Sequence, residues 1–492
     1  MRIAFIDGPW PGNGHRTQRW AHKNPGGKIN PPPLFQMYAA SLAAKNGHET
    51  AIWDAPARRL DYPALLKDVT DFGPHLCVIN TSTPSFDHDK KFLKLLNDTV
   101  KTRKIMVGSH VTAFPDEVMS ENPELDIIAI GEYDETISDI AEHINNLSEV
   151  KGIVYRDGDK VINTGMRPLI KDLDHLPFPA YDKIDINDYS ESMFPSRKHP
   201  IASMWTSRGC NYHCSFCLYP QIFFQDKLRL RSLDNIISEI KWLKEAFGVK
   251  FFYFEDDNFT ASWNRVEELC QRLINERLDI TWGCLSRTDD VTLKRIKLMK
   301  DSGCYLIKFG VESGVQDLLD HIEKHYVLKD ITNAFDLCKK VNIVTHATVM
   351  IGNPGETWES IRVTRQFVKR LSPDSVQFSI CIPFPGTKFF KECQEKGWIN
   401  YDCWEDFDGV HGGVLSYPGL SKGEIKMAVK DSYLHYYSSF AHIRQRVRRL
   451  LLGPERVSQL TRNLWLLRRF FSMVLFERRR TVLVGEQQLK PF

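Results

Sequence analysis

The feature that most constrains the fold is an alternation of strand-like and helix-like segments, which occurs twice along the chain. In residues 1–145, short apolar runs such as "RIAFID" and "HLCVIN" alternate with amphipathic segments such as "FDHDKKFLKLLNDTVK". Residues 200–395 repeat the alternation with six strand candidates, from "IASMWTS" to "DSVQFSICI". Successive βα units build parallel sheets. We therefore predict an α/β chain in which a doubly wound, Rossmann-like domain precedes a partial (β/α)6 barrel.

Two regions lack this alternation. "GIVYRDGDKVI" predicts a β-hairpin around Asp157-Gly158, and proline-rich runs follow it, so we interpret the segment as a linker. The C-terminal region is predicted to be mainly helical, with a capping-box spacing at Ser421 and Glu424. The predicted divisions are a Rossmann-like domain at 1–148, a linker with a hairpin at 149–199, the barrel at 200–395 and a helical region at 396–492.

Composition excludes several classes of protein. The chain has 492 residues, which is too long for one ordinary core, and 42% of them are apolar. Lys and Arg number 65 against 62 Asp and Glu, so no general affinity for polyanions is indicated and no nucleic acid is expected as a partner. We see no signal peptide and no uninterrupted apolar run long enough to span a bilayer. Eleven cysteines, an odd count, indicate a reducing, cytoplasmic location rather than a disulfide framework.

Three of these cysteines lie in one short stretch, "TSRGCNYHCSFCLYP". Cys210, Cys214 and Cys217 follow the first strand of the predicted barrel, where loops open onto the catalytic face. Bunched thiols in a reducing compartment usually bind metal, and a structural zinc site usually has four protein ligands. Three thiolates on a four-iron cluster instead leave one iron open for a substrate or cofactor. A zinc site completed by His213 or by a distant cysteine remains the alternative.

The motif "CNYHCSFC", with Phe216 before the last cysteine, resembles the radical S-adenosylmethionine (SAM) superfamily. The resemblance implies a [4Fe-4S] cluster held by Cys210, Cys214 and Cys217. It also implies that the amino and carboxylate groups of SAM chelate the open iron, and that reduction cleaves SAM to a 5′-deoxyadenosyl radical. The backbone of Phe216 is expected near the adenine.

Further candidates for SAM contacts lie at the ends of the later strands. After "FFYFEDDNFT", the family places a polar or acidic residue against the SAM amino group; Asp256 is the first candidate, and a helix-capping turn is the alternative. Arg287 is a candidate for the SAM carboxylate, the alternative being a structural ion pair. The ends of "FGVESG" and "MIGNPGET" resemble the ribose, methionine and adenine positions of the family. The candidate set is Phe216, Asp256, Asp257, Arg287, Glu312, Ser313, Gly352 and Pro354.

Three loops follow strands of the first domain, at the edge where doubly wound sheets bind ligands. With "PPPLFQMYAASLAAKNGHE", they resemble the cobalamin-binding domain fused to many radical SAM enzymes. The Asp-x-His-x-x-Gly motif whose histidine ligates cobalt is missing, as it is in related fused enzymes. A domain without cofactor that shapes the substrate pocket is the alternative, and His110 could instead be a hydrogen-bonding loop residue. The candidate cobalamin contacts are Ser82, Thr83, Gly108, Ser109, His110, Thr112, Gly131 and Glu132.

The C-terminal tail is rich in arginine. Residues 444–480 contain eleven Arg and no Lys, interleaved with apolar runs such as "NLWLLRRFFSMVLF". This pattern is typical of a helix that lies in a membrane interface. A helix packed on the barrel, with arginine stems covering apolar surface, fits equally well, and RNA binding is a third option.

Taken with the resemblance, these features imply cobalamin-dependent methylation of an unactivated carbon. The first alternative is a radical SAM enzyme without methyl transfer: a cyclase, a rearrangement enzyme or a C–C bond-forming enzyme that acts on a lipid or tetrapyrrole-like substrate. A zinc-stabilised protein that binds RNA or lipid is the second. The expected partners are a small-molecule or lipid-like substrate and an electron donor such as flavodoxin or ferredoxin. Peripheral contact with the inner face of the membrane is expected if the tail binds lipid.

Overall fold

The computed structural model describes residues 1–10, 15–16, 21–22, 31–189, 199–289, 291–440 and 442–445. The chain divides into two compact units, Met1–Leu434 and His435–Phe492. The first unit contains both predicted sheets. Most of the arginine-rich tail, from residue 446 onward, lies outside the described residues.

The first sheet is built mainly from the N-terminal third of the chain. Its strands, with one short separate ladder, are β1 (Arg2–Asp7), β2 (His15–Arg16), β3 (Ala21–His22), β4 (Glu49–Asp54), β5 (Leu76–Thr81), β6 (Arg103–Gly108), β7 (Ile127–Ala129), β8 (Ile153–Asp157) and β9 (Lys160–Asn163). The sheet order is β4-β1-β5-β6-β7-β8-β9, and β2 pairs with β3 in a separate two-stranded ladder. The first five strands of the sheet are parallel, and the predicted hairpin joins the edge antiparallel to β7. The hairpin that the sequence placed in the linker therefore extends the first sheet.

Helices cover both faces of this sheet. They are α1 (Leu34–Lys45), α2 (Ala55–Arg58), α3 (Tyr62–Phe72), α4 (Phe86–Thr99), α5 (Ser109–Ala113), α6 (Pro115–Glu121) and α7 (Asp134–Glu142). Ala4 and Ile6 pack in a core with residues of α3 and α4, and the intervening Ile3 and Phe5 are also fully buried. Successive side chains of a strand point to opposite faces, so burial of both sets explains why these strands are continuously apolar.

The second sheet is the predicted partial barrel. The strands of this region are β10 (Ile201–Met204), β11 (Ser207–Arg208), β12 (Arg229–Leu230), β13 (Phe251–Phe254), β14 (Thr281–Ser286), β15 (Cys304–Glu312), β16 (Val344–Ile351) and β17 (Ser375–Ile380). Six of them form a parallel sheet in chain order, β10-β13-β14-β15-β16-β17. This order confirms the partial (β/α)6 barrel. The short β11 and β12 pair antiparallel beside the cysteine loop.

The helices of the barrel alternate with these strands, and the helix of the C-terminal region follows them. They are α8 (Leu218–Ile222), α9 (Leu233–Phe247), α10 (Trp263–Asn275), α11 (Leu293–Asp301), α12 (Gln316–His321), α13 (Leu328–Lys340), α14 (Trp358–Leu371), α15 (Lys388–Glu395) and α16 (Lys422–Tyr437). The predicted capping box before α16 is confirmed, because the Ser421 N–H donates to Glu424 Oε2 at 2.8 Å and the Glu424 N–H donates to the Ser421 hydroxyl at 3.4 Å. Within the described ranges, no helix has the length and apolar character needed to cross a bilayer.

Candidate functional site at the facing strand ends

The loop that carries the three cysteines is fixed by a glutamine. The Gln221 amide donates to the carbonyl oxygens of Cys214, Ser215 and Cys217, at 3.2, 3.1 and 2.7 Å. Its own oxygen accepts the N–H of Lys388 at 2.9 Å, which attaches the loop to α15. The loop is therefore held in one conformation by its backbone, and its sulfur atoms remain available for other partners.

Burial disfavours free thiolates in this loop. Burial raises the pKa of Cys210 to about 11. It is also the main cause that raises the Cys217 pKa well above its usual value, with Cys214 and Asp257 contributing, although Cys217 keeps some exposed surface. Thiols of this kind lose their protons when a metal cation replaces them. Among the described residues, no three His, Cys, Asp or Glu side chains are grouped so that they could hold a single metal ion, whereas a four-iron cluster takes each thiolate on a different iron.

Two cations lie beside the cysteine loop. Arg287 Nη1 is 3.9 Å from the Cys214 sulfur, and the Lys324 ammonium lies 5.6 Å from the centre of the Phe216 ring. An iron–sulfur cluster with three thiolate ligands is anionic, so these cations suit it. His213, the candidate fourth ligand of a zinc site, is 58% exposed, and its Nδ1 lies 3.4 Å from Asp226. The charges around the loop therefore fit an iron–sulfur cluster.

The two consecutive aspartates after β13 have different roles. Asp256 is 1% exposed and accepts hydrogen bonds from the Thr206 N–H, the Thr206 hydroxyl and the Ser207 hydroxyl, at 2.7, 2.5 and 2.6 Å. Asp257 Oδ2 accepts the Gly209 N–H at 2.9 Å, next to Cys210. Asp256 thus anchors the segment leading into the cysteine loop, and the geometry favours Asp257 over Asp256 as a ligand contact.

Glu312, at the end of β15, has a strained backbone with φ +59°. Its carboxylate pairs with Lys324 at 2.7 Å, and each side chain is less than a tenth exposed. Burial opposes the charge on Lys324, but Glu312 holds the Lys324 pKa above its usual value. The neighbouring Ser313 is fully buried, and its hydroxyl accepts the Val315 N–H at 3.2 Å, so Ser313 shapes the turn after the strand.

The turn after β16 is closed by a buried carboxyl group. Glu356 Oε2 accepts the N–H groups of Gly352 and Asn353, at 2.5 and 3.2 Å. Burial raises the pKa of Glu356 to about 7, against the effect of these two N–H groups. A Cβ at Gly352, where φ is +97°, would lie 3.0 Å from Ile425, so this glycine admits α16 rather than a ligand. Pro354 is buried in the same turn.

The loops at the carboxyl edge of the first sheet are held together by Thr112. Its hydroxyl donates to the Gly108 carbonyl at 2.7 Å and accepts the Gly131 N–H at 3.1 Å. Gly108 has φ +114°, and a Cβ there would lie 2.0 Å from the Thr81 carbonyl oxygen. Only glycine fits this position. Ser82, Thr83 and Ser109, which share this edge, are buried.

His110 and Glu132 have partners that the sequence did not predict. The His110 ring packs 4.0 Å from the centre of Phe86 and 4.5 Å from that of Trp404, and burial lowers its pKa to about 3. Its Nδ1 has no hydrogen-bond partner among the described residues, so the predicted loop hydrogen bond is not seen. Both oxygens of Glu132 are bound by Arg208 and Arg229, at 2.7 to 3.1 Å.

The two sets of strand ends face one another. A Cβ at Gly386, in the turn after β17, would lie 2.8 Å from Ile222 of α8 and 3.4 Å from Ala113 of α5. Phe114, which follows α5, packs 6.0 Å from Phe390 of α15. The cysteine loop and the loops of the first sheet therefore border a common region, as expected for one shared site.

Comparison with known proteins decides the family. A family model described as the radical SAM superfamily matches residues 205–368. An uncharacterized methyltransferase of Pyrococcus horikoshii is 30% identical over 413 residues, which cover 82% of this chain and 88% of that protein. The chain belongs to the radical SAM superfamily. It is therefore an enzyme, and the resemblance carried by "CNYHCSFC" is confirmed.

Other relatives have different activities. The cytidylyl-2-hydroxyethylphosphonate methyltransferase of Streptomyces wedmorensis is 27% identical over 451 residues, covering 80% of this chain and 83% of that enzyme. The anaerobic magnesium-protoporphyrin IX monomethyl ester cyclase of Cereibacter sphaeroides is 26% identical over 418 residues, covering 82% of this chain and 67% of that one. The solved structure of the radical SAM methyltransferase TsrM from Kitasatospora setae, with cobalamin and a [4Fe-4S] cluster bound, covers 88% of each chain with a TM-score of 0.67 at 15% identity. That likeness shows a shared fold.

Several residues of this radical SAM site were missed from the sequence. Lys324 follows α12, Gln221 lies in α8, and Arg208 precedes the first cysteine. Lys324 and Gln221 are single polar residues in segments without a motif, so nothing local marks them. Arg208 stands next to the recognised motif, and its proximity to Cys210 is the one sequence signal that could have drawn attention to it.

Proposed function

We propose that the protein is a cobalamin-dependent radical SAM methyltransferase that methylates an unactivated carbon. The observation that carries the proposal is the buried contact between Arg208, two residues before Cys210, and Glu132 and Asp134 at the end of the first sheet. This contact holds the cysteine loop beside the loops proposed to bind the corrinoid. A methyl carrier and a radical source must both reach one substrate, which requires such proximity.

In this proposal Cys210, Cys214 and Cys217 bind the cluster, and the open iron takes SAM. When bound, the cluster supplies the electron that cleaves SAM, and cobalamin carries the methyl group. The chain's own residues bind, orient and shield these groups. The remaining SAM contacts are assigned to Phe216, Asp257, Glu312 and Pro354; Gly352 is left out because α16 packs against it.

The cobalamin contacts are assigned to the edge of the first sheet. Gly108 lets its loop pass directly against the Thr81 carbonyl, and Thr112 fixes the loops on either side. Ser82, Thr83, Ser109 and Gly131 complete this surface. We assign Glu132 a positioning role because arginines occupy both of its oxygens. His110 packs against aromatic rings, so the proposal includes no histidine ligand to cobalt.

A cyclase is the second candidate, favoured by the 26% identity to the magnesium-protoporphyrin enzyme. The two candidates differ in the fate of the SAM methyl group. The test uses anaerobically reconstituted protein, assayed for iron, sulfide and corrinoid, and then supplied with methyl-labelled SAM and a low-potential reductant. S-adenosylhomocysteine formed together with deoxyadenosine, with label in the product, supports methyl transfer. Deoxyadenosine with no label transferred supports the cyclase.

We further propose a protein reductant such as flavodoxin or ferredoxin, and a cytoplasmic enzyme whose arginine-rich tail contacts anionic lipid. The proposed lipid contact is supported by the composition of the tail, in which eleven Arg alternate with apolar and aromatic runs. A membrane-held substrate would then be lipid-like. Deleting residues 440–492 should release the protein from anionic vesicles, and unchanged sedimentation with vesicles would refute the membrane contact.

A further inference from the structure

Arg287 lies against a proposed cluster ligand in a buried part of the barrel. Its Nη1 is 3.9 Å from the Cys214 sulfur, a hydrogen-bond distance for sulfur, and the two residues are 6% and 7% exposed. Because both residues are almost fully excluded from solvent, a charge on one strongly affects the energy of a charge on the other.

The arginine is held in place on all sides. Its Nε donates to Asp289 Oδ1 at 2.9 Å, and its Nη2 donates to the Lys324 carbonyl at 2.7 Å. The guanidinium carbon lies 3.6 Å from the centre of the Tyr212 ring and 4.8 Å from that of Tyr326. Each of the three nitrogens thus has a partner within the protein. A contact with the SAM carboxylate, which the sequence suggested, would have to use the second N–H of Nη1 or Nη2, because the Nε hydrogen and one hydrogen on each terminal nitrogen are already engaged.

We propose that Arg287 raises the reduction potential of the cluster through its hydrogen bond to the Cys214 sulfur. The inference rests on the proposed function, because it requires the cluster on these cysteines. Reduction adds one electron, taken from an external low-potential reductant, and no bond forms or breaks in that step. A fixed cation and an N–H donor at a ligand sulfur stabilise the more negative, reduced state.

Asp289 has the opposite effect in this arrangement. Its Oδ1 accepts from Arg287 and its Oδ2 accepts from the Tyr212 hydroxyl at 3.0 Å. The carboxylate therefore offsets part of the arginine charge near the cluster. An asparagine at position 289 would keep the acceptor for Nε while removing the negative charge. Replacing Arg287 and replacing Asp289 should therefore shift the reduction potential of the cluster in opposite directions.

The experiment uses full-length protein, reconstituted anaerobically with iron and sulfide. The midpoint potential is measured before SAM is added, by titration with titanium(III) citrate and electron paramagnetic resonance of the reduced cluster. Arg287→Gln should shift the potential to more negative values, Arg287→Lys should shift it less, and Asp289→Asn should shift it to less negative values. Arg295→Gln is the matched control, because Arg295 pairs with Glu267 on α10, and its potential should equal that of the wild type.

Two outcomes would overturn the inference while leaving the proposed function intact. An unchanged potential in Arg287→Gln, with weaker binding of SAM, would assign Arg287 to the SAM carboxylate. Shifts of the same sign in Arg287→Gln and Asp289→Asn would indicate a distorted loop rather than an electrostatic effect. Wild-type protein that binds no reducible cluster would instead overturn the proposed function, and this inference with it.

Discussion

Arg208 Nη1 lies 2.7 Å from Glu132 Oε1, and these side chains are 2% and 4% exposed. Arg208 ends β11, just before the cysteine loop, whereas Glu132 follows β7 of the first sheet. Asp134 accepts from the same guanidinium at 2.8 Å, and Trp205 packs 4.6 Å from it. A buried ion cluster of this kind holds the two loops in a fixed position relative to each other, because moving either loop would leave buried charges without partners.

Replacing Arg208 by methionine should therefore lower the free energy of unfolding by about 3–5 kcal/mol, since Glu132 and Asp134 would remain buried without a full counter-charge. Denaturant unfolding of the cofactor-free protein measures this loss. Arg362→Met is the control, because Arg362 pairs with Glu359 and the two side chains are 59% and 66% exposed. The control should change stability by less than about 0.5 kcal/mol. Equal losses in the two variants would contradict a special role for the buried cluster.

Removing one thiol should abolish cluster binding. Cys214→Ala leaves two of three ligands, so iron and sulfide per chain after anaerobic reconstitution should fall to background, and deoxyadenosine should not form. Cys403→Ala is the matched control, because Cys403 is an exposed free cysteine outside the loop. It should bind as much iron as the wild type. Cys214→Ala protein that still forms deoxyadenosine would show that the cluster lies elsewhere.

Local patterns explain what could be predicted from the sequence. Continuous apolar runs located the strands because both faces of each sheet are covered, and the Ser421–Glu424 spacing located a helix start because a capping box involves only neighbouring residues. Asp256 and Asp257 show the limit of this approach. They are adjacent, and only the path of the backbone after β13 decides which one anchors Thr206 and which one lies beside Gly209.

Residues with distant partners could not be read from the sequence in this way. Glu132 and His110 stand at carboxyl strand ends, which is why a ligand contact was expected for both. Arg208 contacts Glu132 from 76 positions away in the chain, and Trp404 contacts His110 from 294 positions away. No local spacing in the sequence indicates such contacts. The same holds for Lys324, whose pairing with Glu312 depends on how α12 turns back toward β15.

Gly108→Ala should disrupt the edge of the first sheet. The added Cβ would lie 2.0 Å from the Thr81 carbonyl oxygen, so the loop must move, and we expect a loss of about 2 kcal/mol or more in the free energy of unfolding. Retention of corrinoid after gel filtration should fall as well. Gly47→Ala is the matched control, with φ +85° but no atom of the described residues within 4 Å of the new Cβ. It should cost about 1 kcal/mol from backbone strain and leave corrinoid retention unchanged.

The buried Glu356 should make stability depend on pH. In the folded protein its carboxyl group keeps a proton up to about pH 7, whereas the ordinary pKa is 4.5. Between these values the folded state binds more protons than the unfolded chain, so this group lowers the free energy of unfolding as pH rises. The full effect is roughly 3 kcal/mol. Glu356→Gln keeps an acceptor for the Gly352 and Asn353 N–H groups and should remove this part of the slope.

Unfolding of the cofactor-free protein by denaturant at several pH values between 5 and 8 provides the measurement. Burial also raises the pKa of Asp7 to about 6 and that of Asp54 to about 8, so the wild-type slope contains their contributions too. The difference between wild type and Glu356→Gln cancels them, because both proteins contain the same two aspartates. Glu395→Gln, at a 66% exposed position on α15, should keep the wild-type slope. A Glu356→Gln slope equal to that of the wild type would mean that Glu356 is ionised in the folded turn.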